Sequence, residues 1–109
     1  KRLGEQVCEA AVTEWGMSVT VLRLAWPTAD KDWPTWVGGS GGPTQIRGRS
    51  GRPVPATAGS DLARAALAAL DFRRGLSVFA IAGDHDGVVM DLTKARELLG
   101  WQPTFRLDD

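Results

Sequence analysis

The chain has 109 residues, 43% hydrophobic and 24% charged, the balance of one small globular unit or a piece of a larger one. Thirteen Lys and Arg against thirteen Asp and Glu leave zero net charge, which argues against a nucleic-acid or membrane-surface binder acting through a basic field. A single cysteine, Cys8, excludes an internal disulfide and suits a reducing, cytoplasmic setting, and no apolar run approaches the ~18 residues of a membrane span. The first residue is Lys1 rather than Met, which sets the expectation of a processed or partial chain. There is no Tyr and no Asn.

In chain order, Leu3, Val7, Cys8, Ala11, Val12 and Trp15 fall on one helical face, and Arg2, Glu5, Gln6, Glu9 and Thr13 on the other. Gly16 stands where a left-handed residue stops a helix. Ser18–Ala25 (SVTVLRLA) is rich in β-branched and aliphatic residues, which predicts a strand covered on both faces. Pro27 ends its ladder, having no N–H to give. Asp30–Pro43 reads as irregular, with a glycine-rich run at Gly38–Gly42. Thr44–Arg47 is a candidate short strand, and Gly48–Pro55 a loop.

The spacing predicts a second helix over Asp61–Arg73, with Ser60 as N-cap and a buried stripe of Leu62, Ala63, Ala66, Leu67 and Leu70. Gly75 ends it, and Leu76–Ala82 reads as a second buried strand. Gly83–Gly87 is a turn, and Val88–Met90 a short extended piece. Asp91 caps a third helix through Leu99, closed by Gly100 with Trp101 as its apolar partner and Pro103 beyond. This alternation of helices and strands predicts an α/β protein.

In an open α/β sheet, ligands bind at the carboxyl ends of strands, so Leu24–Thr28 is the first place to look for chemistry. Trp26, Trp33 and Trp36 gather around the same loop; they form either a stacking wall for a sugar or base, or ordinary packing beneath a long loop. Arg47, Arg49 and Arg52 are compatible with a diphosphate-binding loop or with a solvated basic loop. Gly38–Gly42 lacks the lysine and following helix of a phosphate loop and reads as a hinge or mobile loop over a site. Asp84-His85-Asp86 are consecutive, without the spacing that lets side chains converge, and read as a polar turn; no metal is expected. Cys8 lies on the apolar helix face and reads as packing. Lys1, on its own residues, is a solvated lysine.

Taken together, four pieces resemble the C-terminal portion of the extended short-chain dehydrogenase/reductase family, the NAD-dependent epimerase/dehydratase group. Lys1 with Glu5 four residues on resembles the lysine of the family's Tyr-x-x-x-Lys motif and the glutamate one turn later. Val19–Pro27 (VTVLRLAWP) resembles the strand ending in "LR" and its active-site loop. Ser60–Ala65 (SDLARA) resembles the "DLA" helix start, and Leu98–Pro103 (LLGWQP) the terminal "LGW-x-P" signature, with Asp91, Lys94 and Ala95 fitting the helix before it.

The resemblance implies the last part of a Rossmann-like doubly wound sheet in residues 1–29, and a small, trimmed, mixed substrate-binding region in residues 30–109. It implies that the glycine-rich dinucleotide loop and the catalytic tyrosine, four positions before Lys1, lie upstream. Lys1 would hold the nicotinamide ribose and act in catalysis by lowering the tyrosine's pKa. Trp26, Pro27 and Thr28 would line an NAD or NADP cofactor. Trp26, Arg47, Arg49 and Arg52 would face a small-molecule substrate: a sugar, sugar acid or nucleotide sugar.

Trp26 stands where many relatives carry Asn, which removes an amide that could bond a substrate and weakens the case for a nucleotide-diphosphate sugar; the stretch from Ala82 to Asp91 is shorter than the family pattern, which points to a smaller substrate such as a sugar or sugar acid. No nucleic-acid or membrane partner is implied. The first helix is a candidate for a homodimer's helix bundle through Leu3, Val7 and Val12. The alternative is a non-catalytic NAD(P)-binding relative serving as a binding or regulatory module. Either way, the strand at Ser18–Ala25 should lack at least one sheet neighbour.

Overall fold

A computed structural model describes residues 2–37, 41–84 and 89–107. They form a mixed α/β unit with three helices and two small parallel sheets. Helix α1 spans Arg2–Trp15 and ends where Gly16 turns left-handed at φ 65°, a conformation that costs glycine nothing. Strand β1, Val19–Leu24, follows after Gly16–Ser18, which is only long enough for a tight reversal.

Strand β2 is Pro27–Thr28, β3 is Thr57–Ala58, and helix α2 is Gly59–Leu70. Strand β4, Leu76–Ile81, lies parallel to β1 in the register Val19↔Leu76 through Leu24↔Ile81. The pair starts with the Val19 amide on the Gly75 carbonyl at 2.8 Å and runs on to the Ala25 amide on the Ile81 carbonyl at 3.0 Å. Beyond that point β1 kinks into β2, which pairs in parallel with β3. Thr57 sits buried at the seam; its hydroxyl donates to the Ala25 carbonyl at 2.7 Å, with the Ile81 carbonyl at 3.2 Å. One side chain thereby holds the carboxyl ends of β1 and β4 together.

Among the described residues β1 pairs only with β4. The expected cover on both faces is not there. The strand's residues are half-buried and Arg23 is exposed.

Helix α1 also departs from its expected stripe. Cys8, Ala11 and Val12 are half-buried, but Leu3, Val7 and Trp15 are exposed. The helix touches β1 and β4 along a narrow strip, too narrow to cover its apolar face.

Helix α2 starts earlier than predicted, and Ser60 is inside it rather than capping it. Its N-cap is Ala58, which offers no side-chain acceptor. Asp30, thirty residues upstream, supplies one instead: its Oδ1 accepts the Ser60 amide at 3.0 Å. The helix ends at Leu70 rather than Arg73. Its buried residues are Asp61 and Ala65, while Ala63, Ala66, Leu67 and Leu70 are exposed and Leu62 is half-buried. A buried carboxylate, not the leucine stripe, sets the helix's rotation.

The third helix begins at Thr93, with Asp91 Oδ1 accepting the Thr93 amide at 2.9 Å as predicted. It widens to π winding over Ala95–Leu99 and closes at Gly100, φ 66°. Trp101 then turns inward and is buried.

The extended piece expected at Val88–Met90 is a bend at Val89 and Met90; Val88 lies outside the described residues, as do residues 85–87 of the expected turn. Thr44–Arg47 is not a strand. It contributes two isolated antiparallel bridges, Trp36↔Thr44 and Arg47↔Pro53.

The core gathers Ala25, Ala65, Phe79, Ile81, Ala82, Leu92, Ala95 and Trp101. Phe79 meets Phe72 edge-on at 5.3 Å. Burying each large aromatic contributes roughly 4–6 kcal/mol before entropy is counted. The small alanines let β1, β4, α2 and the third helix approach closely around these two rings. Among the described residues no helix is long and apolar enough to cross a membrane.

Candidate functional site

The carboxyl end of β1 is a sharp corner. Ala25 completes the ladder, and Trp26 turns at φ 33°. A bulky residue with left-handed backbone is disfavoured by about 1–2 kcal/mol, so this conformation is imposed by its surroundings. The Ala25 and Trp26 carbonyls both receive the Thr57 amide, at 2.8 and 3.3 Å, and Pro27 and Thr28 pair with β3. Thr28 is fixed further by its hydroxyl, which donates to the Thr35 carbonyl at 2.8 Å. The corner is therefore held from three sides while its tryptophan projects outward.

The three indoles of this region divide. Trp26 and Trp36 meet edge to face at 5.6 Å and remain 43% and 38% exposed, an open aromatic pair beside the corner. Trp33 is turned inward: its Nε1–H donates to the Ala56 carbonyl at 2.7 Å and its ring packs edge-on against Phe105. Trp33 thus belongs to packing, and only Trp26 and Trp36 keep the geometry of a stacking surface.

Arg47, Arg49 and Arg52 do share one turn. The Gly48 amide bonds the Arg52 carbonyl at 2.9 Å, and all three side chains are exposed. Arg47 is engaged locally, donating from Nη1 to the Gly51 carbonyl at 2.8 Å and from Nη2 toward Gln45 Oε1 at 3.5 Å. This makes Arg47 a turn-closing residue, leaving it fewer donors for a phosphate. Lys1 lies outside the described residues.

One arrangement escaped the sequence reading. Arg23 and Glu5 form a two-pronged ion pair, Nε to Oε2 at 2.9 Å and Nη2 to Oε1 at 2.6 Å. It ties α1 to β1 on the side of a groove of about 870 Å³ lined by Glu5, Cys8, Val21, Arg23, Leu24 and Pro27. The groove ends at Pro27, one residue past the Trp26 corner. Both partners belong to pieces already singled out, but a separation of eighteen positions gives no periodic signal that joins them.

The ionisable groups follow these contacts. The Arg23 hydrogen bond holds the Glu5 carboxyl below its ordinary 4.5 and in turn raises the Arg23 guanidinium. The Ser60 backbone N–H lowers Asp30 below its ordinary 3.8, and bonds from the Thr93 hydroxyl and amide lower Asp91. A carboxylate whose folded pKa is depressed stabilises the fold above its unfolded value and loses that contribution as pH falls through the folded value. The melting temperature should therefore stay flat from neutral pH down to about 5 and fall below about pH 4. The Asp30→Asn variant should show a shallower acid limb, and an unchanged limb in thermal melts across pH would refute the assignment.

Of the Asp84-His85-Asp86 sequence, His85 and Asp86 lie outside the described residues. Asp84 is buried and its Oδ2 accepts the Val89 and Met90 amides at 2.6 and 2.8 Å, a turn-closing role. Among the described residues no group of three ligand-type side chains converges on a metal site. No protein-family model, curated protein or solved structure shows a significant match to the chain.

Proposed function

We propose that this chain is the C-terminal portion of an NAD(P)-dependent epimerase/dehydratase-type enzyme of the extended short-chain dehydrogenase/reductase family, acting by hydride transfer on a sugar, sugar acid or nucleotide sugar. The observation that carries the reading is that the pieces on which the resemblance rests bond to one another in pairs. Glu5 is joined to Arg23. The buried Asp61 of SDLARA accepts the Thr104 and Phe105 amides just past LLGWQP, and Trp101 of that signature donates from Nε1 to the Asp61 carbonyl at 2.9 Å.

On this reading residues 1–29 close a Rossmann-like doubly wound sheet and the remainder shapes the substrate side. Lys1 holds the nicotinamide ribose and favours the phenolate of a tyrosine four positions upstream, making it a base usable near neutral pH. Bound NAD(P) supplies the hydride acceptor. Trp26, Pro27 and Thr28 offer the exposed ring and fixed backbone that suit a flat nicotinamide or sugar face, and Arg49 and Arg52 reach toward the substrate's anionic groups.

The decisive experiment is to read the coding sequence upstream of Lys1 and assay its intact product. A tyrosine four positions before Lys1, a glycine-rich strand–turn–helix before it, and NAD(P)-coupled turnover on a sugar panel are expected. Absence of the tyrosine and of cofactor binding would overturn the reading. Saturable NAD(P) binding without turnover would instead favour a non-catalytic relative.

Trp26 gives a sharper test. Trp26→Gly removes about 1–2 kcal/mol of backbone strain and about 0.5–1.5 kcal/mol of contact with Trp36, so stability should change little. Cofactor or substrate affinity of the intact product should nonetheless fall about tenfold. Equal affinities by calorimetric titration would remove Trp26 from the site.

A further inference from the structure

A second hollow opens beyond the carboxyl end of β4, the other place where an α/β sheet collects ligands. Its volume is about 310 Å³, at the lower end of the range of small-molecule sites. The floor is apolar and well packed, made by Leu92, Trp101 and Pro103, all buried. The rim carries Arg96 from the third helix, Arg106 from the C-terminal segment, and the polar side chains of Thr93 and Gln102.

Neither guanidinium makes a hydrogen bond or ion pair with a described residue; the carboxylate that senses Arg96 is Asp91, which is already engaged with Thr93. Two cations from different segments thus border one concave space. Asp84 also lines it, but Asp84 Oδ2 faces two backbone amides whose dipoles offset its charge. The lining residues then carry a net positive charge of one, from two arginines and one carboxylate.

We propose that this hollow is a binding site for a small oxyanion, the phosphate or carboxylate group of a metabolite, held between Arg96 and Arg106 with the Gln102 side chain as a further donor. Guanidinium forks match the paired oxygens of both groups, and a site with an apolar floor and few polar rim groups orients a small ligand by its charged end. The hollow shares no lining residue with the Trp26–Thr28 corner or the Arg47–Arg52 turn. The proposal therefore stands or falls independently of the hydride-transfer reading.

The test is a titration of the ¹⁵N-labelled chain followed by NMR, with inorganic phosphate, pyrophosphate and citrate as separate probes at matched ionic strength. The Thr93 amide, the Arg96 and Arg106 Nε–H and the Trp101 indole N–H should shift together and saturate. A phosphate source predicts tighter binding of phosphate and pyrophosphate, and a carboxylate source tighter binding of citrate. Arg96→Ala and Arg106→Ala, both at exposed positions outside the core, should each weaken binding about tenfold. No saturable shift, or saturable shifts confined to other residues, would overturn the proposal. Weak shifts that persist in the double variant would mean an adventitious ion only, and would overturn it equally.

Discussion

Asp61→Ala should lower the melting temperature by about 10–20 °C, the change expected for a loss of about 3–5 kcal/mol in a domain of this size. Asp61 is 1% exposed, yet it carries a carboxylate. That carboxylate is tolerable because its oxygens are fully employed. Oδ1 and Oδ2 each lie 3.0 Å from the Thr104 amide, Oδ2 accepts the Phe105 amide at 2.8 Å, and Arg64 pairs with Oδ1. Arg64 also reaches the Gln102 carbonyl at 2.8 Å and the Thr104 hydroxyl at 3.1 Å. The negative charge in the first turn of α2 also faces the positive end of the helix dipole.

Removing the carboxylate would leave the Thr104 and Phe105 amides without their acceptor and Arg64 without its ion pair, and would loosen the hold of α2 on residues 104 and 105. Asp61→Asn should be damaging too, because its amide group turns N–H donors toward N–H donors. Asp91→Ala, which removes only an exposed helix cap, should lower the melting temperature far less. Thermal melts of these three variants, with near-ultraviolet circular dichroism reporting on Trp101, would check the order. An Asp61→Ala protein melting within a few degrees of the parent would refute the clamp.

Asp61 also shows where sequence reading ends. The spacing of Leu62, Ala66, Leu67 and Leu70 pointed inward because periodicity counts apolar residues. It has no means of weighing a buried carboxylate whose backbone amide partners lie more than forty residues away. The helix itself was legible, since its run of alanines and leucines between turn residues has few alternatives; its rotation was not. Helix α1 failed in the same direction. An apolar stripe states what could be covered, and Leu3, Val7 and Trp15 lie open because the described chain has nothing wide enough to cover them.

The two main strands, by contrast, were readable. Val19–Leu24 and Leu76–Ile81 are β-branched and aliphatic runs with glycines shortly before them, and their parallel pairing follows from the helix between them. The third helix was readable from Asp91 to Gly100 because its start and stop signals are local.

The site was legible in location but not in geometry. The corner after β1 follows from Pro27 and the topology, but the left-handed Trp26 goes against the residue's own preference and is set by Thr57, thirty-one residues on. The inward turn of Trp33 likewise depends on a distant partner, the Ala56 carbonyl. Arg47, Arg49 and Arg52 stand close together in the sequence, but proximity does not reveal that Arg47 closes its own turn. Capping by Asp30 was invisible for a like reason: Ser60 was the nearest acceptor in sequence, and Asp30 the nearest in space.

Gly83→Ala should be the most disruptive glycine-to-alanine change among the described residues, destabilising by about 3 kcal/mol or preventing folding outright. Gly83 follows β4 at the point where three separate segments converge. Its amide bonds the Pro55 carbonyl at 3.0 Å, and its carbonyl accepts the Leu107 amide at 2.8 Å. A Cβ there would lie 2.3 Å from the Ala56 carbonyl oxygen, 2.7 Å from the Phe105 carbonyl oxygen and 3.2 Å from the Trp33 indole nitrogen. The first two obstacles are backbone atoms, and the Ala56 carbonyl is also held by the Trp33 indole N–H, so no rotamer change relieves them. Accommodating the methyl would mean separating the 55–57 segment from β4, which takes with it Thr57, the bridge between the carboxyl ends of β1 and β4. The corner at Trp26 would lose its support in the same movement.

Gly4→Ala is the matched control. A Cβ at Gly4 meets nothing within 4 Å, and the residue lies in α1, where alanine is favoured over glycine by about 0.5–1 kcal/mol. The two glycine-to-alanine changes should therefore move denaturant midpoints in opposite directions. A Gly83→Ala protein with an unchanged midpoint would show that the three segments do not converge as described, and with that the bond-by-bond support for the β1 corner would be lost.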